Sequence, residues 1–192
     1  MPRKPALNPN EMLQQEFKYI AQTAFQANED RSRVTSFYLV TVGSFVAAIL
    51  GTGFETGQSA VSIAFFILFT VLTFMGALTI AQLARLRAAW HESAEAMNQV
   101  KEFYIKNHPE IKSAFKWRTN VIPPTNKPYS IANLIAVEVA MLSALTTGAG
   151  MYFLLTFLGG TNWLTWVIVI LSTAFGYAAQ WSWYLHLLVD DR

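Results

Sequence analysis

Four long apolar runs dominate the sequence and restrict the chain to a membrane fold. The runs cover Thr35–Gly51, Ser59–Ala84, Ile131–Leu158 and Trp163–Val189. A helix needs about 20 mostly apolar residues to cross a ~30 Å hydrocarbon core, and the first run reaches that length with its immediate neighbours. Charged residues make up only 14% of the chain, against roughly 25% in soluble proteins. We therefore expect all four runs to span a bilayer.

Short turns join the four runs into two pairs. Residues 55–58 separate the first two runs, and residues 159–162 separate the last two. Helices connected by so few residues form antiparallel hairpins. The sequence therefore predicts an all-α, polytopic membrane protein with one transmembrane hairpin over residues 34–84 and another over residues 130–189.

Positive charge lies on only one side of this predicted topology. Residues 83–129 hold eight of the 14 Lys and Arg residues, five more precede the first run, and Arg192 ends the chain. The two short turns contain neither Lys nor Arg. By the positive-inside bias, both termini and residues 83–129 are cytoplasmic. We expect a multi-pass protein of the cell inner (plasma) membrane, with the lipid bilayer as its first partner.

Two cytoplasmic helices are predicted to flank the first hairpin. Residues 10–33 and residues 83–106 are each 24 residues long, which corresponds to about 36 Å of helix. Each segment carries apolar residues at helical spacing. These stripes are Leu13, Phe17 and Ile20 in the first segment, and Leu86, Trp90, Met97 and Val100 in the second. We expect the two helices to pack antiparallel as a cytoplasmic coiled-coil stalk.

The remaining segments are predicted to be connections or tails. Residues 1–9 contain three prolines and should be a disordered tail, with Asn10 as the N-cap of the helix that follows. Residues 107–129 return the chain to the membrane, and apolar residues among basic ones at 111–118 favour a short helix on the membrane surface. Residues 190–192 form a second short tail.

Glu138 is the most informative single residue, because an intramembrane carboxylate is costly unless it is protonated, paired or hydrated. It lies about 12 Å along the third run. If the last two helices are antiparallel, Gln180 lies at a similar depth and His186 lies nearer the cytoplasm. The three side chains could form a polar cluster that carries protons or cations, or one that only joins helices. A third interpretation places Glu138 at the interface without a special role.

Small residues on two of the runs suit close helix approach in lipid. They would serve packing within one copy as well as contacts between copies. They are Gly43, Ala47, Ala48 and Gly51 on the first run, and Ala144, Gly148 and Gly150 on the third.

The sequence argues against several classes of function. The absence of cysteine excludes disulfides, thiolate metal sites and cysteine nucleophiles. His91 and Glu95 share a helix face, but two ligands do not make a metal site. Neither a P-loop nor a dinucleotide fingerprint is present. We therefore expect no enzymatic activity and no cofactor, and the net charge of +2 is too small to indicate nucleic-acid binding.

The order of the first helices resembles that of SLATT-type bacterial membrane effectors. The resemblance rests on a cytoplasmic helix, a short-turn hairpin and a stalk helix, in QANEDRSRVTSFYLV and LARLRAAWHESAEAMNQVKEFY. It covers residues 10–107, and the second hairpin departs from the pattern. The resemblance implies an antiviral effector that forms pores or disrupts membranes once a partner senses infection.

Two functions stay open on this reasoning. The first is an oligomeric, channel-like or membrane-perturbing effector gated through its cytoplasmic helices, with further copies of the chain as partners. The second is an accessory structural subunit of a larger membrane complex, with other membrane subunits as partners.

Overall fold

The computed structural model describes residues 8–52, 59–159 and 162–190. The tail at residues 1–7, the turn at residues 55–58, residues 160–161 of the second turn and residues 191–192 lie outside the described part, so predictions for them are untested. The described chain is helical and contains four α-helices: α1 (Pro9–Thr52), α2 (Ser59–Asn107), α3 (Ile131–Phe157) and α4 (Trp163–Asp190). Each is long and apolar enough to cross a membrane. The prediction of an all-α chain with four such helices is confirmed.

Helix α1 starts earlier than predicted and joins two segments that the sequence treated separately. The expected N-cap at Asn10 is wrong, because the Asn8 side-chain Oδ1 accepts a hydrogen bond from the Asn10 backbone N–H at 3.2 Å. Pro9 then occupies the first helical position, where its missing N–H costs nothing. From there, α1 runs without a break through the polar residues 28–33 into the first apolar run.

The described chain forms two compact units. Among the described residues, the polar unit comprises residues 8–30 and 86–125, and the apolar unit comprises residues 31–52, 59–85, 126–159 and 162–190. Helices α1 and α2 contribute residues to both units, whereas α3 and α4 belong to the apolar unit alone.

In the apolar unit, α3 and α4 pack against each other in antiparallel orientation. The Gln180 side chain bonds to Ser143, and the rings of Tyr152 and Trp166 lie 5.5 Å apart between centroids. Buried side chains from all four helices form one apolar core. Its larger members are Tyr38, Val42, Phe65, Phe69, Leu72, Ile80, Leu83, Val139, Phe153, Tyr184 and Leu188.

Local side-chain bonds fix where α3 and α4 begin. Ser130 caps α3, since its Oγ accepts from the Asn133 backbone N–H at 3.3 Å. At the start of α4, the Thr165 N–H donates to Asn162 Oδ1 at 3.1 Å, and the Asn162 N–H donates to Thr165 Oγ1 at 3.2 Å. These reciprocal bonds satisfy backbone donors that a helix start leaves free.

In the polar unit, the segment after α2 folds back along that helix. Two 3₁₀ turns, Pro109–Ala114 and Thr119–Val121, stand where the sequence favoured one short α-helix. The returning chain is held by side chains of α2. Arg118 pairs with Glu102, and the Arg87 Nε donates to the Thr125 carbonyl at 3.1 Å.

Candidate functional site

The inside of the apolar unit contains a layer of hydroxyl and amide groups contributed by all four helices. We call it the polar layer and define it as Tyr38, Thr73, Ser143, Thr146 and Gln180. Four of the five side chains are buried, and Thr73 is half-buried. In an apolar helix bundle, such groups are stable only where they bond to one another.

Ser143 is the centre of the hydrogen bonds in this layer. Gln180 Nε2 on α4 donates to Ser143 Oγ at 2.5 Å. Ser143 Oγ in turn donates to the Thr73 carbonyl on α2 at 3.2 Å. Thr73 and Thr146 join their hydroxyls at 2.9 Å. The layer therefore links α2, α3 and α4 through side chains at a single level.

Gly76 allows α1, α2 and α3 to meet at this level. A Cβ atom built on Gly76 would overlap the Ser143 side chain and the hydroxyl of Tyr38. Only a residue without a side chain leaves room for these groups. The sequence alone does not identify Gly76, because a lone glycine in an apolar run carries no signal of which groups approach it.

Two buried atoms of the polar layer have no hydrogen-bond partner among the described residues. They are the Tyr38 hydroxyl and the Gln180 Oε1. Both groups are neutral, so the layer offers no fixed charge and no strong acid or base. Its clearest chemical role is to hold α2, α3 and α4 in register, since each interhelical bond in lipid contributes about 0.6–2 kcal/mol.

Glu138, in contrast, lies on the outer surface of the apolar unit. It belongs to a row of exposed α3 residues spaced alternately three and four apart. We call this row the α3 stripe: Ile131, Leu134, Glu138, Met141 and Leu145. The residues between them are mostly buried against the other helices. The α3 stripe is therefore a narrow apolar strip interrupted by one carboxylate.

The structure separates Gln180 from Glu138 within the predicted polar cluster. Gln180 lies level with Ser143, five residues beyond Glu138 along α3, and its amide is buried in the polar layer. His186 is exposed on α4. The sequence predicts the depth of Gln180 only by counting residues from the helix ends. In the structure, the packing register of α3 against α4 decides which residues face each other, and it places Gln180 opposite Ser143.

The structure separates the two sets of small residues. Ala144, Gly148 and Gly150 are buried in the apolar unit, and a Cβ on Gly148 would overlap the hydroxyl of Thr173. On α1, Gly43 and Gly51 have no described atom within 4 Å of the Cβ position. The α3 residues thus serve packing within one copy, while these two α1 glycines leave their face open.

The predicted stalk residues occur on both sides of a small cavity in the polar unit. Leu13, Phe17 and Val100 line a cavity of about 220 Å³, together with Tyr104 and Phe115. The start of α1 therefore lies near the end of α2. Ile20 is buried. The other predicted contacts are half-buried: Leu86, Trp90 and Met97.

Several buried groups of the polar unit were missed by the sequence pattern. Arg87 is buried, and its guanidinium lies 4.8 Å from the centre of the Trp90 ring. Ser93 interrupts the apolar stripe of α2 and is buried. Its hydroxyl donates a hydrogen bond to the Ala89 carbonyl at 2.8 Å. Asn98 is also buried and accepts from Lys101 at 3.0 Å. Polar residues fit this helix face because each finds a local partner.

The returning chain carries an ion pair with two-point geometry. Arg118 donates two parallel hydrogen bonds to Glu102, from Nε at 2.9 Å and from Nη2 at 2.8 Å. This pairing holds the pKa of the Glu102 carboxyl below its usual range and the pKa of Arg118 above its usual range. The side chains of Arg118 and Glu102 are both partly exposed, so the pair holds the loop against α2 rather than forming a reactive centre. We call this ion pair the clasp.

No family model, curated protein or solved structure matches the chain. The resemblance to SLATT-type effectors therefore stays a prediction from helix order. Within the described ranges, no group of three or more His, Asp or Glu residues could hold a metal ion. Two features of the apolar unit remain as candidates for function: the polar layer inside it and Glu138 on its surface.

Proposed function

We propose that this chain is a non-enzymatic integral membrane protein that works as a homo-oligomeric, channel-like or membrane-perturbing assembly. In this proposal the α3 stripes of several copies face a common axis, with Glu138 at the shared surface. The observation that carries the proposal is the exposure of Glu138 on an otherwise apolar helix. Intramembrane carboxylates usually face protein or water rather than lipid, so a second copy is the natural cover for this one.

The spacing of the α3 stripe supports pairing between copies. Exposed residues at alternating steps of three and four match the 3.5-residue repeat of helices that pack side by side. A single polar residue in such a seam fixes register and the number of copies, at some cost in stability. Glu138 has that position in the α3 stripe, with Leu134 and Met141 on either side.

The packing inside the apolar unit favours a path between copies over a path through one copy. At the polar layer, the close approach at Gly76 leaves no room even for a methyl group. The large side chains Tyr38 and Leu72 are fully buried in the same core. Ions would therefore cross where copies meet, and Glu138 would attract cations to that place.

Gating through the cytoplasmic helices is part of the same proposal. Helices α1 and α2 are each uninterrupted and contribute residues to both units. A partner that acts on the polar unit would therefore act on the same two helices that take part in the apolar core. The cytoplasmic stalk and the two transmembrane hairpins predicted from the sequence belong to this proposal, as does a role downstream of a sensor.

Single-cysteine crosslinking tests the assembly directly, because the native chain has no cysteine. Met141→Cys lies on the α3 stripe, and Phe175→Cys is a control on α4 at a position that is even more exposed. Under mild oxidation in proteoliposomes, we expect crosslinked dimers from Met141→Cys and none from Phe175→Cys. Native mass spectrometry of the unmodified protein should show more than one copy. A monomer with no crosslink at position 141 would contradict the proposal.

Ion flux separates a channel-like assembly from a purely structural one. Proteoliposomes should leak cations, and Glu138→Gln should lower the flux about tenfold by removing the charge that concentrates cations. Glu92→Gln, an exposed position on α2 in the polar unit, removes the same charge and should leave the flux unchanged. An assembly that crosslinks through α3 but conducts nothing would instead support the accessory structural subunit.

A further inference from the structure

A groove between α1 and α2 on the outer surface of the apolar unit is independent of the α3 stripe. We propose that this groove binds one anionic phospholipid, with the phosphate at Arg33 and Gln82 and an acyl chain along Phe37, Met75 and Leu78. The groove encloses about 390 Å³. That volume lies within the range of about 300–1,000 Å³ found for small-molecule sites.

The two ends of the groove differ in chemistry, as the two ends of a lipid do. Gly76 on α2 lies beside Tyr38 on α1, which fixes how the two helices face each other. Arg33 lies five residues before Tyr38 on α1, and Gln82 lies six residues after Gly76 on α2. Both therefore line the same end of the groove. The other end is apolar.

The apolar end presents hydrocarbon rather than unsatisfied polar groups. Phe37 and Leu78 are exposed by 65% and 47%, so the groove opens sideways, where an acyl chain could enter from the bilayer. Thr79 also lines the groove, but its hydroxyl donates to the Met75 carbonyl at 2.9 Å. Because the Thr79 hydroxyl already has a hydrogen-bond partner within α2, this part of the groove does not require a polar ligand.

The charge at the polar end selects an anion. Arg33 is the last basic residue before the apolar run of α1, and it lines the groove. Among the described residues that line the groove, none is acidic. A guanidinium can give two parallel hydrogen bonds to a phosphate, and basic pockets between membrane helices recognise lipid headgroups. Charge complementarity therefore favours phosphatidylglycerol over phosphatidylcholine.

Native mass spectrometry with defined lipids tests the site. The full chain, released from nanodiscs of equal phosphatidylglycerol and phosphatidylcholine, should retain one phosphatidylglycerol per copy. Arg33→Gln should lower that retention about tenfold, since a charge-assisted bond contributes more than 1.4 kcal/mol. Lys18→Gln, which removes an exposed charge in the polar unit, should leave retention unchanged. Equal retention of the two lipids, or no effect of Arg33→Gln, would overturn the proposal.

A second variant and a competitor test the acyl part of the site. Leu78→Trp fills the groove from an exposed position and should reduce phosphatidylglycerol retention while leaving the melting temperature unchanged. Added inorganic phosphate should not displace the lipid, because it cannot use the apolar end. Displacement by phosphate, or full retention by Leu78→Trp, would assign the site to a free anion and contradict a lipid.

Discussion

At the scale of single residues, two glycines on neighbouring helices have opposite surroundings. Gly76 on α2 lies against Ser143 and Tyr38, where an added Cβ would overlap both side chains. Gly43 on α1 has no described atom within 4 Å of its Cβ position. The same substitution should therefore have opposite consequences at the two positions.

Gly76→Ala should destabilise the apolar unit by about 1–3 kcal/mol, the range for overpacking a tight core. The added methyl must push Ser143 or Tyr38 away and weaken the polar layer. Gly43→Ala is the matched control and should be neutral or stabilise α1 by up to about 1 kcal/mol, because alanine favours helix more than glycine does. Thermal unfolding in detergent measures both variants. An equal melting temperature for Gly76→Ala and the unmodified chain would contradict the close approach at this position.

The sequence could identify Gln180 and Glu138 as unusual but not their surroundings. Each of the two is a polar residue within an apolar run, and this contrast can be seen in the sequence alone. Which way each side chain faces depends on the rotation of its helix, and a nearly uniform apolar run contains little periodicity to fix that rotation. Gln180 therefore turned out to face Ser143 inside the core, and Glu138 to face outward.

At the scale of helices and connections, hydropathy predicted the four long helices, whereas local side-chain chemistry determined where each helix begins and ends. The long apolar runs correctly predicted four helices that are long and apolar enough to cross a membrane. The start of α1 was missed by one residue because Pro9 at the first helical position was read as part of a tail. The pairing of Glu102 with Arg118 was missed because the two residues are separated by a Pro-containing turn whose path no periodicity describes.

The pair between Glu102 and Arg118 should hold the returning segment against α2. Replacing Glu102 by Gln removes the charge and should increase hydrogen exchange at the backbone amides of residues 109–121 at neutral pH. Arg118→Gln should have the same effect, and the double variant should add little, because each change already breaks the pair. Lys116→Gln, at an exposed position on the same loop, is the control. Additive effects of the two changes would show that the residues do not act as a pair.

The pH dependence of this clasp follows from the direction of the pKa shift. The pKa of Glu102 is lowered by Arg118, so the folded loop favours the charged carboxylate. Its stabilising contribution is therefore present above the usual glutamate range and is lost as the pH falls through the lowered pKa. Hydrogen exchange of the loop, corrected for its intrinsic pH dependence, should stay constant from neutral to mildly acidic pH.

At the scale of the whole molecule, the distribution of charge carries the most information about orientation. Residues 83–129 contain eight Lys and Arg residues, and the two short turns contain none. Four helices with this pattern should place both termini and residues 83–129 on the cytoplasmic side. With this orientation the polar unit would be accessible to a cytoplasmic partner, and the proposed gating through α1 and α2 depends on it.

Site-directed labelling tests that orientation in a bacterial host. Lys112→Cys lies in the polar unit and Ser59→Cys lies at the start of α2, both at exposed positions. With a membrane-impermeant maleimide, Ser59→Cys should be labelled in intact cells and Lys112→Cys only after lysis. The unmodified chain has no cysteine and serves as the blank. Labelling of Lys112→Cys in intact cells would place the polar unit outside, where a cytoplasmic signal could not reach it, and gating by such a signal would have to be abandoned.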